Sequence, residues 1–244
     1  MPRLKISIVV PAFNEERLLG AALAQMQAAA AALAARGWDW ELIVCDNNST
    51  DRTAEIARAA GATVVFEPRN QIARARNRGA AAATGDWLIF VDADSHPNRE
   101  LFADVAEQIA SGHCLAGGST VRLDAHHWLS ELVNAFWNFL SRRGRWLAGS
   151  FIFLEAATFR QVGGFSEKLY AGEELELSGR LKKLARDVRR PVVILHRHPL
   201  VTSARKLHLY TLREYLWFLA KTLFSRGKTL KDRRACFTWY DGRR

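Results

Sequence analysis

Two carboxylates stand one residue apart directly after an apolar stretch of the chain. The stretch Trp87–Val91 is typical of a buried strand, and Asp92-Ala93-Asp94 follows it. In an extended chain, residues two positions apart point to the same side, so Asp92 and Asp94 can converge on one cation. Aspartate is also common in solvated turns where strands end. The tripeptide alone leaves a metal site and a solvated turn both open.

A second group of carboxylates, Glu173, Glu174 and Glu176, follows Gly172 at the start of a predicted helix. Acidic residues favour the first turn of a helix because they interact well with its dipole, which explains the group without any function. Glu176 also has Arg180 four residues on and can pair with it. Glu173 and Glu174 have no basic residue three or four positions further along, and this favours a functional role for these two.

The elements that must position these carboxylates alternate between strand and helix through the first hundred residues. Strands are predicted at 6–10, 41–45, 63–66 and 87–91, with a long helix capped by Asn14, a short helix ending at Gly61 and a helix over 70–83 between them. Such alternation implies a parallel sheet with right-handed crossovers. Ligands bind such sheets at the carboxyl ends of the strands.

Polar residues follow three of the predicted strand ends, namely Asn14-Glu15, Asp46, and Asp92 with Asp94. A nucleotide site is therefore predicted at this edge of the sheet. The chain contains neither G-x-G-x-x-G nor G-x-x-x-x-G-K-[ST], so neither a dinucleotide-binding fold nor a P-loop enzyme is supported.

The second half of the chain is less regular. Strands are predicted at 114–121, 146–154 and 191–195, and helices at 101–110, 128–140 and after Gly172. The helix at 128–140 carries a stripe of aromatic and aliphatic residues, and we expect the stripe to pack in the core rather than to bind substrate. The members of the stripe are Trp128, Leu132, Phe136, Trp137 and Phe139.

Several motifs, in this order, resemble those of the family 2 glycosyltransferases, which are inverting enzymes of the GT-A fold that use nucleotide-diphospho-sugars. The resemblance covers about the first two hundred residues. Asp92-Ala93-Asp94 is similar to the family's D-x-D, and Glu173-Glu174-x-Glu176-Leu177 to its E-D-x-E-L. The other matching segments are Ile8-Val9-Val10-Pro11-Ala12-Phe13-Asn14-Glu15-Glu16, Asp46-Asn47-Asn48-Ser49-Thr50-Asp51, Ala75-Arg76-Asn77-Arg78-Gly79 and Val162-Gly163-Gly164-Phe165.

The resemblance implies an α/β fold, with the mostly parallel, Rossmann-like central sheet of GT-A enzymes flanked by helices. It implies a catalytic domain over 1–200, with a nucleotide-sugar half at 1–100 and an acceptor-side half at 101–200. The remaining residues, 201–244, form a basic amphipathic helical tail. Acceptor choice is expected to depend on 117–150.

The resemblance also implies the site residues. Asp94 is the main ligand of Mn²⁺ or Mg²⁺, and Asp92 reaches the metal or the ribose. His198 or His196 adds a ligand, or else is a surface histidine beside Arg197. Glu174 is the catalytic base, although glutamate replaces the family's aspartate there and leaves the roles of Glu173 and Glu174 open. The residues implied in binding the nucleotide-sugar are Pro11, Phe13, Asn14, Glu15, Asp46, Asn48, Arg74, Asn77, Asp92, Ala93 and Asp94.

Two details of the donor site stay open. Asn47-Asn48 replaces the family's Asp-Gly, so the base of the UDP- or GDP-sugar donor is not fixed by the resemblance. Arg74 and Arg76 can meet the diphosphate, but an exposed basic helix face is the commoner explanation of such charges.

The charge of +10 suggests an anionic partner. A non-catalytic basic protein that binds anionic membrane or nucleic acid is therefore the alternative to an enzyme. The acids Asp46, Asp92, Asp94 and Glu174 argue against it, because they repel phosphate unless a metal intervenes, and no nucleic acid is expected. A nucleotidyltransferase is not supported, because the chain lacks a Gly-rich opening loop.

From Val201 onward, eleven Lys and Arg stand against three Asp and Glu. The tail carries an apolar stripe at helical spacing, and aromatic residues beside it favour a membrane surface. A helix packed on the catalytic domain or on a second subunit is the alternative. The members of the stripe are Leu212, Leu216, Leu219 and Leu223.

The predicted location is the cytoplasm, with peripheral binding at the inner face of the membrane. Three scattered cysteines fit a reducing compartment, and Met1–Lys5 runs straight into a strand without a signal peptide.

Overall fold

The computed structural model describes residues 4–124, 128–205, 209, 212–225 and 227–240. The strands are β1 (Lys5–Ala12), β2 (Asp39–Asp46), β3 (Thr63–Phe66), β4 (Trp87–Val91), β5 (Ser95–His96), β6 (Ala116–Leu123), β7 (Phe151–Glu155) and β8 (Val192–Thr202). The helices are α1 (Leu19–Ala34), α2 (Thr53–Ala59), α3 (Ile72–Ala82), α4 (Arg99–Ser111), α5 (Trp128–Gly144), α6 (Ala156–Gln161), α7 (Glu173–Asp187), α8 (Leu212–Phe224) and α9 (Phe237–Tyr240), with a 3₁₀ turn at Lys228–Lys231.

The strands form one sheet in the order β3-β2-β1-β4-β7-β6-β8-β5. The first four strands are all parallel, and β6 is parallel to β8. Strand β7 runs antiparallel between β4 and β6, and β5 runs antiparallel to β8. The predicted α/β class with a mostly parallel sheet flanked by helices is confirmed.

The core lies on both faces of the sheet because the inner strands are buried on both sides. Ile8 of β1 and Ile89 of β4 belong to the cluster under α1 and α4. Val9 and Phe90, one residue further along each strand, belong to the cluster under α3 and α7. This alternation fixes the register of β1 and β4, so their carboxyl ends meet at one edge.

Asn14 does not cap α1, contrary to the prediction. The helix begins at Leu19 after a turn, and Leu18 is its N-cap. Asn14 has a left-handed backbone (φ 52°), and its Oδ1 accepts a hydrogen bond from the Thr50 N–H at 2.8 Å. Asn14 therefore connects the loops after β1 and β2.

Strand β8 is longer than predicted. It continues to Thr202, because residues beyond Leu195 pair with β6 after an irregularity between Ser119 and Val121. His196 and His198 therefore lie within the strand and do not follow it. The predicted domain boundary at residue 200 falls inside this strand.

The prediction that the stripe on α5 packs in the core is wrong for three of its four described side chains, and the fourth, Trp137, is half-buried. Leu132, Phe136 and Phe139 are 60–63% exposed. The side chains of Asn134 and Asn138 contact the protein instead, through hydrogen bonds to the Val121 backbone. Trp128 belongs to the predicted stripe, but its side chain lies outside the described residues.

The tail is partly packed on the catalytic half. The backbone N–H of Tyr170 donates to the Leu230 carbonyl at 2.7 Å, and the rings of Tyr170 and Tyr240 stack edge to face. The Ile72 N–H at the start of α3 donates to the Tyr240 hydroxyl at 3.3 Å. No helix in the described part of the chain is long and apolar enough to cross a bilayer. Of the predicted stripe, the side chains of Leu212, Leu216, Leu219 and Leu223 lie outside the described residues.

Candidate active site

Asp92 follows β4 directly and is held from two sides. Its backbone N–H donates to the Ser150 carbonyl at 3.2 Å, which ties the end of β4 to the loop before β7. Its Oδ1 accepts a hydrogen bond from Arg76 Nη2 at 2.9 Å. Arg76 belongs to α3, so Asp92 joins the end of β4 to that helix.

Arg76 is the largest fully buried side chain of the described part, with 1% exposure. Its Nη1 donates to Glu173 Oε1 at 2.7 Å, and its Nη2 also donates to the Gly149 carbonyl at 2.8 Å. The guanidinium lies 5.1 Å from the centre of the Phe165 ring. Burial acts to lower the pKa of Arg76, but the charges of Asp92, Glu173 and Glu174 outweigh it and raise the pKa. The buried arginine is therefore a permanent cation beside three acidic side chains.

The two acids at the start of α7, Glu173 and Glu174, differ in burial and in pairing. Glu173 is buried and paired with Arg76, whereas the Glu174 side chain is partly exposed. Burial raises the pKa of Glu174 to about 8, the charge of Glu173 adds to the rise, and Arg76 opposes it. A carboxylate whose pKa lies near neutrality is suited to accept a proton.

Asp94 faces a cation that comes from the far end of the chain. Arg205 Nη2 lies 3.7 Å from Asp94 Oδ2, and the Asp94 carbonyl accepts a hydrogen bond from the Ser203 N–H. The same guanidinium binds both carboxylate oxygens of the buried Glu15, at 2.7 and 3.0 Å. Arg205 therefore connects the ends of β1 and β4. The sequence interpretation treated it only as a cation of the tail.

The carboxyl ends of β2 and β3 form a polar cleft of about 400 Å³. Asp46 lies at the end of β2, where its Oδ1 accepts a hydrogen bond from the Ser49 N–H at 3.0 Å. Asn48 lines the cleft with a left-handed backbone (φ 65°). The other residues that line it are Pro68, Arg69, Asn70, Gln71, Arg74, Glu167, Tyr170 and Arg233. The cleft lies at the edge of the sheet where the sequence predicts a nucleotide site.

Arg74 and Asn77 of α3 connect the segments around this cleft through ion pairs and hydrogen bonds. Arg74 lines the cleft and pairs with Glu67 at 3.2 Å and with Glu167. The Asn77 amide exchanges two hydrogen bonds of 2.9 Å with the backbone of Phe165. Asn77 therefore holds the turn at Gly163–Gly164, and its predicted contact with the donor stays a prediction.

Three more of the predicted donor-binding residues lie at the same edge of the sheet. Pro11 lies in β1 opposite Cys45 of β2, and Phe13 follows β1 with a partly exposed side chain. Ala93 is buried between the two aspartates. The edge that the sequence predicted is thus formed by the ends of β1, β2 and β4.

The structure does not bring His198 to Asp92 and Asp94. Its Nδ1 lies 3.0 Å from Asp104 Oδ2 of α4. His196 is likewise in β8, where its Nδ1 lies 3.4 Å from the Ile194 carbonyl. Among the residues the structure describes, no group of three or more His, Cys, Asp or Glu is arranged to hold a metal ion.

The donor set at Asp92 and Asp94 nevertheless fits Mg²⁺ or Mn²⁺ in one respect. Mg²⁺ is usually held by one or two carboxylates together with the phosphates of the substrate, and not by a cage of protein ligands. Asp94 and Asp92 offer two carboxylates, with side chains 17% and 26% exposed, at the open edge of the sheet.

The sequence also indicates that Arg76 is buried, which the motif alone does not show. Ala73, Arg76 and Ala80 fall at i, i+3 and i+7 and share one face of α3. Ala73 belongs to the core cluster and Ala80 packs against it, so a charged residue between them must be buried. No comparable signal pointed to Arg205, because its partners Glu15 and Asp94 are more than a hundred residues away.

Residues 7–161 match the sequence model of the family described as glycosyl transferase family 2. A relative in Mycobacterium tuberculosis, an uncharacterized glycosyltransferase, is 34% identical over 123 residues, or 50% of this chain and 52% of that protein. The undecaprenyl-phosphate 4-deoxy-4-formamido-L-arabinose transferase of Pseudomonas aeruginosa is 33% identical over 144 residues, or 53% of this chain and 40% of that protein. The chain spans about half the length of the curated relatives it matches.

Among solved structures, the mannosyltransferase PcManGT from Pyrobaculum calidifontis in complex with GDP-Man and Mn²⁺ has a similar fold. The similarity has a TM-score of 0.66 at 19% identity and covers 94% of this chain and 63% of that chain. Because the family match takes in more than half of the chain, including Arg76, Asp92 and Asp94, the chain belongs to the glycosyl transferase family 2.

Proposed function

We propose that the chain transfers a sugar, with inversion, from a nucleotide-diphospho-sugar to a hydroxyl group of an acceptor. The observation that carries the proposal is the chain of contacts from Asp92 through Arg76 to Glu173, next to Glu174. It joins the residues suited to the diphosphate to an acid suited to take up a proton.

In the proposed reaction, the Glu174 carboxylate takes the proton from the acceptor hydroxyl. The hydroxyl oxygen then forms a bond to the anomeric carbon of the sugar, on the face opposite to the leaving group. The bond from that carbon to the diphosphate breaks, and the nucleoside diphosphate leaves with the electron pair. One proton moves to the enzyme, and no oxidant or reductant is needed.

The leaving diphosphate gains negative charge that must be neutralised. Mg²⁺ or Mn²⁺ held by Asp94 and Asp92 would supply that neutralisation. Arg205 provides a second cation at the same place, 3.7 Å from Asp94. We therefore assign Arg205 to the diphosphate site beside Asp94, together with Glu15, which orients its guanidinium.

The acidic surroundings of the base argue for a hydroxyl acceptor. The Pseudomonas relative is named for transfer to undecaprenyl phosphate. A phosphate is already ionised near neutral pH and needs no base, and the charge of Glu173 would repel it. A hydroxyl group carries no charge and has a proton to lose, so it suits Glu174. A lipid-linked acceptor stays within the proposal if the group that reacts is a hydroxyl.

We also propose that the enzyme acts as a peripheral protein at a membrane surface. The basic, aromatic tail first suggested this, but part of the tail is engaged elsewhere. Arg205 pairs with Glu15, and Leu230 and Tyr240 contact the catalytic half. Exposed Trp217 and Phe224, with Lys221 over the Trp217 ring, leave α8 as the part of the tail available for such binding.

The experiment that tests the proposed function is metal-dependent release of nucleoside diphosphate from a panel of UDP- and GDP-sugars. Wild type should turn over at least one donor with Mn²⁺ or Mg²⁺, and Asp94→Ala should abolish turnover while leaving the fold intact. A non-catalytic basic binding protein would show no turnover of any donor. Wild-type turnover by Asp94→Ala in EDTA would contradict the metal assignment.

A further inference from the structure

Helix α5 is oriented with its polar side toward the protein. Asn134, Asn138 and Ser141 fall at i, i+4 and i+7 on one face. Asn134 and Asn138 donate to the Val121 carbonyl at 2.7 and 2.8 Å, and Asn138 Oδ1 accepts from the Val121 N–H. Ser141 is buried and donates to the Trp146 carbonyl at 2.6 Å. The amide face of the helix is therefore attached to strand β6.

The opposite side of the helix, which we call the α5 face, consists of exposed apolar residues. Val133 is 60% exposed and Leu140 is 40% exposed, and between them Phe136 and Phe139 are 62% and 63% exposed. Leu132, also 60% exposed, completes the face. An amphipathic helix of a protein in water normally buries its apolar side, so a continuous exposed one indicates a binding surface.

A group of cations, which we call the basic cluster, lies at the carboxyl end of the α5 face. Arg143 continues the stripe of Leu132, Phe136 and Phe139 by one further turn. The Lys182 ammonium lies 3.6 Å from the centre of the Trp146 ring. The residues of the cluster are Arg142, Arg143, Arg145, Lys182, Arg186 and Arg189, of which all but Arg142 line a cleft of about 460 Å³.

Two cations of the cluster, Lys182 and Arg186, are close enough to interact. The pKa of Lys182 is lowered, first by burial and then by the positive charge of Arg186. Such a concentration of positive charge is stabilised by an anionic partner.

We propose that the α5 face and the basic cluster dock the protein on the surface of an anionic phospholipid bilayer. Phenylalanine and leucine enter the boundary between headgroups and acyl chains, and arginines beside them bind lipid phosphates. The charges are complementary, because the cluster is positive and the bilayer surface is negative. A second copy of this chain fits less well, because it would bring another +10 charge to the interface.

The docking surface is next to the acceptor side of the site. Gly149 lies five residues beyond the end of α5, a distance of at most about 18 Å along the chain. Its carbonyl accepts a hydrogen bond from Arg76, and the Leu147 N–H donates to Ser178 of α7 at 3.0 Å. A bilayer on the α5 face would therefore present an embedded acceptor near Glu174. This last step rests on the proposed function, whereas the docking itself does not.

The test is co-sedimentation of the full chain, without donor, with vesicles of phosphatidylcholine alone or mixed in equal parts with phosphatidylglycerol. Wild type should bind the anionic vesicles more tightly, and less so as salt rises. Phe136→Ser with Phe139→Ser should weaken binding on the order of tenfold or more, because two phenylalanines no longer enter the bilayer. The exposed Phe66, at the end of β3, provides the matched control, and Phe66→Ser should bind like wild type. Phe224→Ser tests α8 in parallel.

A second pair of variants tests the charges without changing the apolar face. Arg142→Gln with Arg143→Gln should weaken binding to anionic vesicles and reduce its salt dependence. Arg17→Gln with Arg58→Gln, which removes two exposed arginines elsewhere, should have a smaller effect. Melting curves show whether each variant is folded.

Three results would overturn the proposal. One is wild-type vesicle binding by both folded α5 variants. Another is loss of binding in Phe224→Ser alone, which would assign docking to α8. The third is a dimer in solution that Phe136→Ser with Phe139→Ser dissociates while vesicle binding is unchanged, which would make a second copy the occupant. Turnover is measured separately, so an inactive protein that still binds vesicles would contradict only the proposed function.

Discussion

The neighbouring acids Glu173 and Glu174 have different surroundings, and these lead to different predictions. Glu174→Gln keeps size and hydrogen bonding but removes the group that takes up the proton. Turnover should fall on the order of a hundredfold or more, with donor affinity retained. Steady-state kinetics and donor titration measure both quantities.

Glu173→Gln is the informative comparison. Glu173 is paired with buried Arg76 at 2.7 Å, so its loss leaves a buried cation short of one partner. We expect a loss of stability of about 3–5 kcal/mol, seen in denaturant unfolding, that Glu174→Gln does not share. If Glu173→Gln were stable and lost turnover while Glu174→Gln kept it, the roles of the two acids would be exchanged.

The raised pKa of Glu174 also predicts a pH dependence of stability. Between the ordinary pKa of 4.5 and about 8, the folded protein holds a proton on Glu174 that the unfolded chain has released. The contribution of Glu174 to folding stability is therefore fully present below about 4.5 and is lost as pH rises toward 8. The stability of Glu174→Gln relative to wild type should increase across this window in thermal melts. Parallel curves for the two proteins would show that the pKa is not raised.

The sequence predicted the acids of the site better than its arginines. Asp92, Asp94 and Glu174 stand in short motifs, and a motif fixes local geometry. Arg76 and Arg205 owe their roles to partners distant along the chain, which the sequence does not pair. For Arg74 and Arg76, an exposed basic face was the commoner explanation beside binding of the diphosphate, but Arg76 is buried and only Arg74 is partly exposed.

At the scale of elements, periodicity indicates which residues share a face but not which face points inward. The stripe on α5 was interpreted as core, because apolar residues usually are. The Val121 backbone of β6 has an N–H and a carbonyl that need partners on the side of α5, and asparagines satisfy them where apolar residues cannot. The polar face is therefore the inward one. Strand β8 was predicted too short because its apolar run stops at Leu195, whereas the strand continues past an irregularity and pairs with β6 again from Leu200 to Thr202.

The segment 228–240 contacts the catalytic half, and we expect these contacts to stabilise the fold. Tyr240 stacks on Tyr170 and accepts a hydrogen bond from the Ile72 N–H at the start of α3, the helix that carries Arg76. Tyr240→Ala should cost about 1–3 kcal/mol of stability, because both contacts are lost. Denaturant unfolding measures the cost.

A control for that experiment lies on α8. Phe224 is 90% exposed, and Phe224→Ala should change stability by less than about 0.5 kcal/mol. Equal and small effects of Tyr240→Ala and Phe224→Ala would mean that the segment does not stabilise the catalytic half.

At the scale of the molecule, the fold was predictable because the first four strands carry a regular pattern. Apolar strands such as Trp87–Val91 alternate with helices, and each has polar residues at its carboxyl end. The contacts that the tail makes with the catalytic half were not predictable. Arg205 returns to the ends of β1 and β4, and the Leu230 carbonyl accepts a hydrogen bond from the N–H of Tyr170, which lines the polar cleft. The candidate site therefore draws on both ends of the chain.

A ligand that contacts both ends of the chain should stabilise the whole molecule. A nucleotide-sugar at 100 times its dissociation constant adds about 2.7 kcal/mol, or about 5–10 °C in Tm for a protein of this size. The shift should need Mn²⁺ or Mg²⁺, because Asp92, Asp94 and Glu15 would otherwise repel the diphosphate. Thermal melts of wild type with UDP- and GDP-sugars, with metal or with EDTA, measure it.

Two variants separate the contributions to this shift. Asp94→Asn should abolish the metal-dependent part, and Arg205→Gln should reduce the shift because a cation 3.7 Å from Asp94 is lost. Arg58→Gln, on the exposed side of α2, changes the net charge equally and should leave the shift unchanged. If Arg205→Gln and Arg58→Gln had the same effect, Arg205 would act only through net charge. An equal shift in EDTA would mean that the donor binds without metal, and that Arg205 suffices to neutralise the diphosphate.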